Sequence, residues 1–521
     1  MRRIEHKPLS FSTTMRNPKR MASFLRCIKD FDRQILTEEL IKRIVEKVIR
    51  DKLYTPMYIT RNEELKAIKN DENITFTDSQ IDEIIRKSPQ NHKEAGFPKG
   101  WPSRFDTWYK LIKEFGFLYY EMDKPLEISS SGYMLCEAYK SDSENSGEKI
   151  QNIFCNALMK YQTNNPFRRN ANNNAPIPLL LNVLKLLKED SEENGAGIYR
   201  KELPFLSCWP NNDANTLYMY IKQFRRKYRY TASDEIVYES CLELLDSDNR
   251  TRFKMNQIMV EAVDDLIRKL RITGVFSLRG MGRFVDINTL QLEKVDYIIN
   301  NYSDYEEFSN EHAYFEYMGT IDSEIVTVSS VSTQDLDDVR SQALVQFAKQ
   351  FDVNYVREEL IKLQDNRPSR DEYLKLIDSP TRLEFLTSIF LVQNYPNSIV
   401  KPNYSVDDEG NPTFTAKGGV ADIVVEDHMS DSTIEVTLMR NRQQATHEIP
   451  AITRHLKELR ASGNKGVFSV FVAPNIHEDT IYMCEFTKHR DNLDIYYYNI
   501  KDFTNKVIET SLLKELEFAL I

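Results

Sequence analysis

Four acidic residues in the last third of the chain are spaced so that they could converge on one metal ion. Asp422 and Glu435 lie in two short β-branched segments joined by a polar turn, Glu448 precedes a predicted helix, and Glu384 lies inside another. Because side chains alternate along a strand, a hairpin can direct both of the first two carboxylates towards one end. Mg²⁺ prefers carboxylate and phosphate oxygens as ligands, and it can activate water for attack on a phosphodiester. The acids therefore predict a metal-dependent hydrolytic site.

The segments around these acids predict the elements that position them. A helix is expected over residues 378–395, with Pro380 in its first turn, and the hairpin follows it. The later elements are expected to be a helix, an apolar strand, a further strand and a largely helical end, over 450–461, 467–473, 494–500 and 501–519. This α-β-β-α-β order resembles the PD-(D/E)xK nuclease core.

Each acid also has a simpler interpretation. An Asp or Glu at a strand end is usually an exposed turn residue. Glu384 differs because it stands in an apolar stretch, where an unpaired carboxylate would cost several kcal/mol, although an amphipathic helix could still expose it. The order of all four acids favours the nuclease interpretation.

Several short blocks resemble the AlwI family of type IIS restriction endonucleases, which also contains site-specific nicking enzymes similar to BstNBI. The blocks are RLEFL at 382–386, GGVADIVVE at 418–426, IEVTL at 434–438 and HEIPAITRHLKEL at 447–459. SFSTTMRNPKR at 10–20 and FVAPNI at 471–476 fit the same family. The resemblance is strongest over the last third of the chain and at the extreme N-terminus.

The resemblance implies roles for the acids. Glu384, Asp422, Glu435 and Glu448 would be the active-site acids, and the last three of them would be the Mg²⁺ ligands. Thr437 stands two residues after Glu435, where the usual D…ExK motif has lysine, as in lysine-free variants of the fold. The general base stays open between Glu448 and His455, and the alternative for His455 is a capping or packing histidine.

Composition limits the class of protein. The 521 residues suffice for three or four domains, and no run of eighteen apolar residues predicts a transmembrane helix. The basic N-terminus lacks the apolar segment of a signal peptide. Six scattered cysteines without a CxxC pair indicate reduced thiols and argue against a zinc finger. We expect a cytoplasmic protein without a membrane partner.

Basic residues are clustered although the net charge is −10. Charge distribution matters more than the sum for nucleic-acid binding. Three stretches are basic: the N-terminus, the segment KQFRRKYR at 222–229 and the segment 268–283. The predicted DNA contacts are Arg16, Lys19, Arg20, Arg225, Arg226, Arg279 and Arg283. The alternative for each stretch is a solvated helix face.

Two segments have the pattern of a winged helix. Residues 104–138 predict a helix, a hairpin and a second helix, and residues 264–299 repeat that order. In the second segment RGMGR at 279–283 forms the turn, where Gly280 and Gly282 permit a tight loop. Winged helices place a recognition helix in the major groove, as other helix-turn-helix proteins do. The alternative is a scaffold that only packs.

These observations predict an α+β multidomain protein with a mostly helical N-terminal part. The N-terminal recognition domains, each with a winged-helix-like unit, are expected over 1–145 and 146–320. The polar segment 140–147 marks their boundary. A helical connector is expected over 321–370, because 334–364 has helical apolar spacing. The last domain, 371–521, is expected to be the α/β PD-(D/E)xK restriction-endonuclease-like domain.

We therefore predict a type IIS restriction endonuclease. It would bind a short asymmetric sequence in double-stranded DNA and hydrolyse phosphodiester bonds at a fixed distance outside it, with Mg²⁺. One active site cuts one strand, so double-strand cleavage is expected to need a transient homodimer through the catalytic domain. The family implies a cognate DNA methyltransferase that protects host DNA. The alternatives are a strand-specific nicking endonuclease and a winged-helix DNA-binding regulator with an inactive nuclease-like domain.

Overall fold

The computed structural model describes residues 4–12, 17–71, 74–139, 146–193, 195, 197–327, 333–462, 466–511 and 513–517. Backbone contacts divide the chain into an N-terminal unit, 1–140 with 148–329, and a C-terminal unit, 141–147 with 330–521. The finer four-part division stays a prediction.

The N-terminal unit is mostly helical. Its α-helices are α1 Pro18–Lys29, α2 Glu38–Arg50, α3 Met57–Arg61, α4 Glu63–Asn70, α5 Asp78–Lys87, α6 Trp101–Glu114, α7 Ser130–Ala138, α8 Ser146–Lys160, α9 Pro176–Glu189, α10 Leu203–Cys208, α11 Ala214–Tyr228, α12 Asp234–Leu244, α13 Ala262–Ile272, α14 Leu292–Tyr302, α15 Glu311–Gly319 and α16 Ser323–Thr327. Its strands are β1 Leu118–Tyr119, β2 Glu127–Ile128, β3 Ile198–Tyr199, β4 Phe276–Arg279 and β5 Phe284–Ile287. One π-helical turn, Gln257–Glu261, precedes α13.

Both predicted helix–hairpin–helix segments form. In the first, α6 leads through Gly116 into the antiparallel pair β1–β2, and α7 follows. Gly116 has a φ of 71°, and a Cβ built there would lie 2.4 Å from the Cβ of Met318, so only glycine fits. In the second, α13 leads into β4–β5, with a turn of three positive-φ residues, 280–282, and β3 pairs with β5. The assignment of these units as winged helices stays a prediction.

The C-terminal unit combines helices with a larger sheet. Its α-helices are α17 Thr333–Gln350, α18 Val353–Gln364, α19 Ser379–Asn394, α20 Ile449–Ser462, α21 Glu478–Asp491 and α22 Ile500–Glu509. Its strands are β6 Ile399–Pro402, β7 Ser405–Val406, β8 Pro412–Phe414, β9 Ile423–Glu426, β10 Ser430–Val436, β11 Gly466–Ala473 and β12 Ile495–Asn499. A π-helical turn, Gln444–Glu448, precedes α20.

The five-stranded sheet is mixed and has the order β12-β11-β10-β9-β6. Strands β10, β11 and β12 are parallel, whereas β9 runs antiparallel to β10 and β6. Strand β11 is nearly all apolar because an interior strand of a parallel sheet is covered on both faces. One buried cluster joins α20 to this side of the sheet, formed by Ile449, Ile452, Leu456, Phe471, Ala473, Cys484, Leu493 and Ile495.

The structure corrects two details of the predicted elements. The segment 334–364, predicted to be helical, is divided into two helices, α17 and α18. The Asp352 carboxylate accepts hydrogen bonds from the N–H groups of Asn354 and Tyr355, which starts a new helix at that point. Three strands between α19 and β9, which are β6 and the short pair β7–β8, were not predicted, and neither was α21 between β11 and β12. No helix in the described ranges has both the length and the apolar character that a membrane span needs.

Candidate active site

Asp422 and Glu435 face each other at the open end of the β9–β10 hairpin. The register pairs Ile434 with Ile423. Glu435, the next residue of β10, therefore lies opposite Asp422, the residue before β9. The Asp422 N–H donates to Oε2 of Glu435 over 3.2 Å, and the Val436 N–H donates to Oδ2 of Asp422 over 2.8 Å. Each carboxylate is therefore fixed by a backbone donor of the opposite strand.

Glu384 approaches from α19. This helix is buried along most of its length, and the Glu384 side chain is only 4% exposed. Its Oε2 accepts a hydrogen bond of 2.9 Å from the N–H of Ala416, in the segment between β8 and β9. Because α19 lies inside the unit, this carboxylate is not the exposed group that an amphipathic helix would have presented.

The acids repel one another. Burial, followed by the charges of Glu384 and Glu435, raises the pKa of Asp422 well above its ordinary value, and the charge of Glu448 adds to this rise. Burial and the charge of Glu435 raise the pKa of Glu384 in the same direction. A like-charge cluster of this kind is stabilised in its ionised form by a nearby cation.

The donor set suits Mg²⁺ in chemistry, since carboxylate oxygens are its preferred protein ligands. In the described part of the chain, however, no group of three His, Cys, Asp or Glu side chains is already arranged to hold a metal ion. The Asp422 and Glu435 oxygens instead accept the hydrogen bonds described above. The cluster thus provides ligand type and negative charge, and the ligand roles of Asp422, Glu435 and Glu448 stay predictions.

His455, on α20, contacts the cluster. Its Nδ1 lies 2.9 Å from Oε1 of Glu435, and the residue is 8% exposed. A neutral imidazole that donates from Nδ1 keeps a lone pair on Nε2. The buried Nε2 has no hydrogen-bond partner among the described residues. The geometry therefore gives the ring one fixed nitrogen and one nitrogen able to accept a proton.

Glu448 ends the π-helical turn that leads into α20. It is half-buried, and its charge adds to the rise that burial and the charges of Glu384 and Glu435 cause in the pKa of Asp422. Single π-helical turns in helices are frequent at functional sites. Thr437, at the position of the missing motif lysine, donates its N–H to the carbonyl of Val472.

Gln444, at the start of the same turn, is a site residue that sequence reasoning missed. Its buried amide makes four hydrogen bonds, to groups from residues 439, 475, 477 and 480. These bonds tie the turn to the segment after β10, to the segment after β11 and to α21. The polar run RNRQQATHE gives no signal that one of its two glutamines is buried.

The residues predicted to contact DNA differ from one another in exposure and in their partners. Lys19 and Arg20 are exposed in the first turn of α1, whereas Arg16 lies outside the described residues. Arg226 is exposed and pairs with Glu192 at 2.8 Å.

The two arginines at the turn of the second predicted wing differ from each other. Arg283 is exposed, and its Nε donates to the Gly280 carbonyl. Arg279 is partly buried, with Nη2 donating to the Ile287 carbonyl and Nε near the Asp286 carboxylate.

Arg225 corrects the expectation of an exposed contact. Its guanidinium is 5% exposed and forms ion pairs with Glu202 at 2.7 Å and Glu193 at 2.8 Å. A further N–H donates to the carbonyl of Gly197. Because a buried arginine needs its charge and its donors satisfied, this side chain serves the fold.

One family model and several solved structures are similar to this chain. The model of the AlwI restriction endonuclease family matches residues 113–353 and 307–505. Among solved structures, the small subunit of the heterodimeric restriction endonuclease R.BspD6I is 21% identical, over 30% of this chain and 76% of that one, with a TM-score of 0.26. Restriction endonuclease FokI is 12% identical, over 98% and 97% of the two chains, with a TM-score of 0.26. FokI bound to DNA is 11% identical, over 96% of each chain, with a TM-score of 0.24. No curated protein matches.

Proposed function

Because this chain belongs to the AlwI restriction endonuclease family, we propose that it is a type IIS enzyme that cuts at a fixed distance outside a short asymmetric DNA sequence. Family membership makes it a restriction endonuclease, a deoxyribonuclease that hydrolyses phosphodiester bonds. The observation that supports this site for the chemistry is the interlocked pair of Asp422 and Glu435, with two further acids in electrostatic contact.

We propose Mg²⁺ as the cofactor, with Asp422, Glu435 and Glu448 as its ligands. When bound, such an ion activates water and stabilises the charge on the phosphate and on the leaving oxygen. Glu384 would complete the negative cluster, and its bond to the Ala416 N–H orders the segment that leads to Asp422. The raised pKa values of Asp422 and Glu384 support this proposal, because the ionised cluster needs a compensating positive charge.

His455 is the general base that the geometry favours. Glu435 holds its Nδ1, so Nε2 would take the proton from the attacking water as the new oxygen–phosphorus bond forms. The bond from phosphorus to the 3′ oxygen would break on the opposite side, and the family implies 5′-phosphate and 3′-hydroxyl products. Glu448 is the alternative base. A His455→Gln variant that keeps the wild-type pH profile would favour Glu448.

The N-terminal unit would bind the recognition sequence. The exposed basic residues Lys19, Arg20, Arg226 and Arg283 would contact DNA, with Arg279 at the base of the second wing and Arg16 in the segment before α1. Arginine and lysine provide most phosphate contacts in such complexes. We propose that the recognition domains span 1–145 and 146–320, that 321–370 connects them to the nuclease domain 371–521, and that the latter has a PD-(D/E)xK fold.

One catalytic unit cuts one strand, so double-strand cleavage would need a transient homodimer on DNA. A chain unable to pair its catalytic units would be a strand-specific nicking enzyme. A cognate DNA methyltransferase would protect the host sequence. A DNA-binding regulator with an inactive nuclease domain is the weaker alternative, because all four acids of the site are present.

Cleavage of supercoiled plasmid with Mg²⁺, followed by run-off sequencing of both strands, tests the proposal. We expect linear product with both strands cut at a fixed offset from one short sequence. Open-circular product alone would identify a nicking enzyme. The Asp422→Asn and Glu435→Gln variants are the matched controls and should leave the plasmid uncut. Wild-type protein that binds DNA but cuts none with any divalent cation would overturn the type IIS proposal.

A further inference from the structure

Two arginines from different helices share one aromatic surface in the N-terminal unit. Arg20, in the first turn of α1, has its Cζ 5.4 Å from the centre of the Phe24 ring. Arg104, near the start of α6, has its Cζ 4.9 Å from the Tyr54 ring and 5.7 Å from the Trp108 ring. Cation–π contacts of this type attract a guanidinium to the face of an aromatic ring.

The rings beneath the two arginines are continuous. Phe24 and Trp108 meet edge to face with centres 5.6 Å apart, and Tyr54 lies 4.9 Å from Trp108. Arg20 also donates from Nη2 to the carbonyl of Leu53, the residue before Tyr54, over 3.4 Å. The two guanidinium groups therefore lie over rings of one packed aromatic cluster, close enough for the charge of Arg104 to act on Arg20.

Their positive charge is not compensated. Neither Arg20 nor Arg104 forms an ion pair with an acid in the described ranges, and the first turn of α1 contains no acidic residue. Partial burial and the charge of Arg104 lower the pKa of Arg20. Two like charges held this close gain from an anion between them.

The structure also leaves hydrogen-bond donors without acceptors at this place. Nη1 of Arg104 lies 2.7 Å from Nε2 of His92, which must then be the accepting nitrogen, so that Nδ1 of His92 carries the hydrogen. Neither that Nδ1 nor the Nε of Arg104 has a partner among the described residues. Both nitrogens are buried, so they mark an unsatisfied polar site beside Arg104 and do not themselves reach a bound phosphate.

We propose that Arg20 and Arg104 together clamp one phosphodiester group of the DNA backbone, with Tyr54 and Trp108 holding the Arg104 guanidinium in position. The proposal rests on the proposed DNA-binding function and adds Arg104 and the aromatic platform to it. A phosphodiester carries one negative charge on two free oxygens, so one oxygen can bind each guanidinium. Such a contact fixes the position of the duplex and does not read its sequence.

The salt dependence of DNA binding tests the clamp. Binding is measured with the full chain in an Asp422→Asn background, so that DNA stays intact, between about 0.05 and 0.3 M salt. Each phosphate contact contributes about 0.9 to the slope of log K against log salt. The double variant R20M/R104M should lose about 0.9 of slope and bind about eightfold more weakly at 0.1 M salt. The loss should be equal for the recognition sequence and an unrelated duplex.

The number of DNA phosphates that the two arginines neutralise distinguishes one shared clamp from two independent contacts. If both arginines bind the same phosphate, each single variant loses less than 0.9 of slope, and the double variant loses about 0.9 in total. A loss of about 1.8 would mean two separate phosphates and would overturn the clamp. A neutral methylphosphonate can replace each phosphate of the DNA backbone in turn. At one position this replacement should weaken binding by the wild type but leave binding by the double variant unchanged.

Matched variants guard against misfolding and against general charge effects. Methionine keeps the packing stem over the rings, and circular dichroism checks the fold. Arg43→Met is the control, because Arg43 is also exposed and lies 5.1 Å from one ring, that of Phe31. It should leave the slope unchanged, and a loss equal to that of the Arg20 and Arg104 variants would overturn the clamp.

Further results distinguish free phosphate from DNA phosphate as the bound anion. They also distinguish failure of the clamp from failure of the proposed function. If inorganic phosphate at about 10 mM raises the Tm of the wild type but not of R20M/R104M, while both bind DNA with equal slope, the site holds free phosphate and the clamp is wrong. A wild type that cuts DNA while the double variant keeps its full slope overturns the clamp alone. A wild type that neither binds nor cuts DNA overturns the proposed function.

Discussion

Replacing Gln444 by alanine perturbs the link between the sheet and the π-helical turn that carries Glu448. The Gln444 amide donates from Nε2 to the carbonyls of Met439 and Asn475, both over 2.8 Å. Its Oε1 accepts from the N–H of His477 over 3.1 Å and from the hydroxyl of Thr480 over 3.0 Å. The side chain is fully buried, so the alanine variant loses four bonds at once.

The expected cost follows from these bonds. A buried hydrogen bond contributes about 0.5–1.5 kcal/mol net, and each partner left unsatisfied adds to the loss. Water entering the vacated space restores part of it, so we expect the free energy of unfolding to fall by about 3 kcal/mol. For a unit of roughly 200 residues this corresponds to a fall in Tm of about 6–12 °C.

Activity should fall as well, even where the variant is folded. Because Gln444 begins the turn that ends at Glu448, its loss would let the carboxylate move relative to Asp422 and Glu435. A displacement of about 1 Å at a reacting centre costs up to about a hundredfold in rate. We expect kcat to fall about tenfold or more and KM for DNA to change little, because the DNA contacts proposed for the N-terminal unit are untouched.

Urea unfolding and single-turnover cleavage at 20 °C measure the two effects. Gln443→Ala is the matched control, since the neighbouring glutamine is exposed, and its cost should stay within about 0.5 kcal/mol. Gln444→Glu keeps both acceptor interactions but loses both donors, so it should not rescue stability. A Gln444→Ala variant that costs less than about 1 kcal/mol, or that cuts at the wild-type rate, would refute the positioning role.

Two other substitutions test the electrostatics of the fold. Burial and the charges of Glu384 and Glu435 raise the pKa of Asp422 above its ordinary value of 3.8. The ionised carboxylate therefore destabilises the folded state in full above the raised pKa. This cost disappears as the pH falls towards 3.8. With Mg²⁺, Asp422→Asn should abolish cleavage. Without divalent cations it should raise Tm by several degrees at pH 8, with the gain shrinking towards pH 5. A variant that is less stable than wild type at pH 8 would contradict this. Arg225→Met leaves Glu202 buried without its partner and should cost about 3–5 kcal/mol, measured by urea unfolding. If it instead unfolds like wild type and binds DNA with a smaller salt slope, Arg225 is a phosphate contact after all.

The sequence by itself determined the family and the main helices and strands around the hairpin of the catalytic unit, and it predicted the acids of the candidate site. The family match confirms the resemblance inferred from the short blocks, and the α+β class with a mostly helical N-terminal part is confirmed at that level. These features are local. Strand alternation, helix caps and apolar runs act over a few residues, so Asp422 and Glu435 could be placed on one hairpin before any tertiary contact was known.

Only the tertiary structure decided which polar side chains are buried and what they touch. Arg225 and Arg226 are adjacent in a basic run, yet the first is inside an ion-pair network and the second is exposed. Gln443 and Gln444 differ in the same way. Burial of a side chain depends on which distant element packs over that face of its helix. A stretch of sequence fixes the period of the faces but not the partner that covers them.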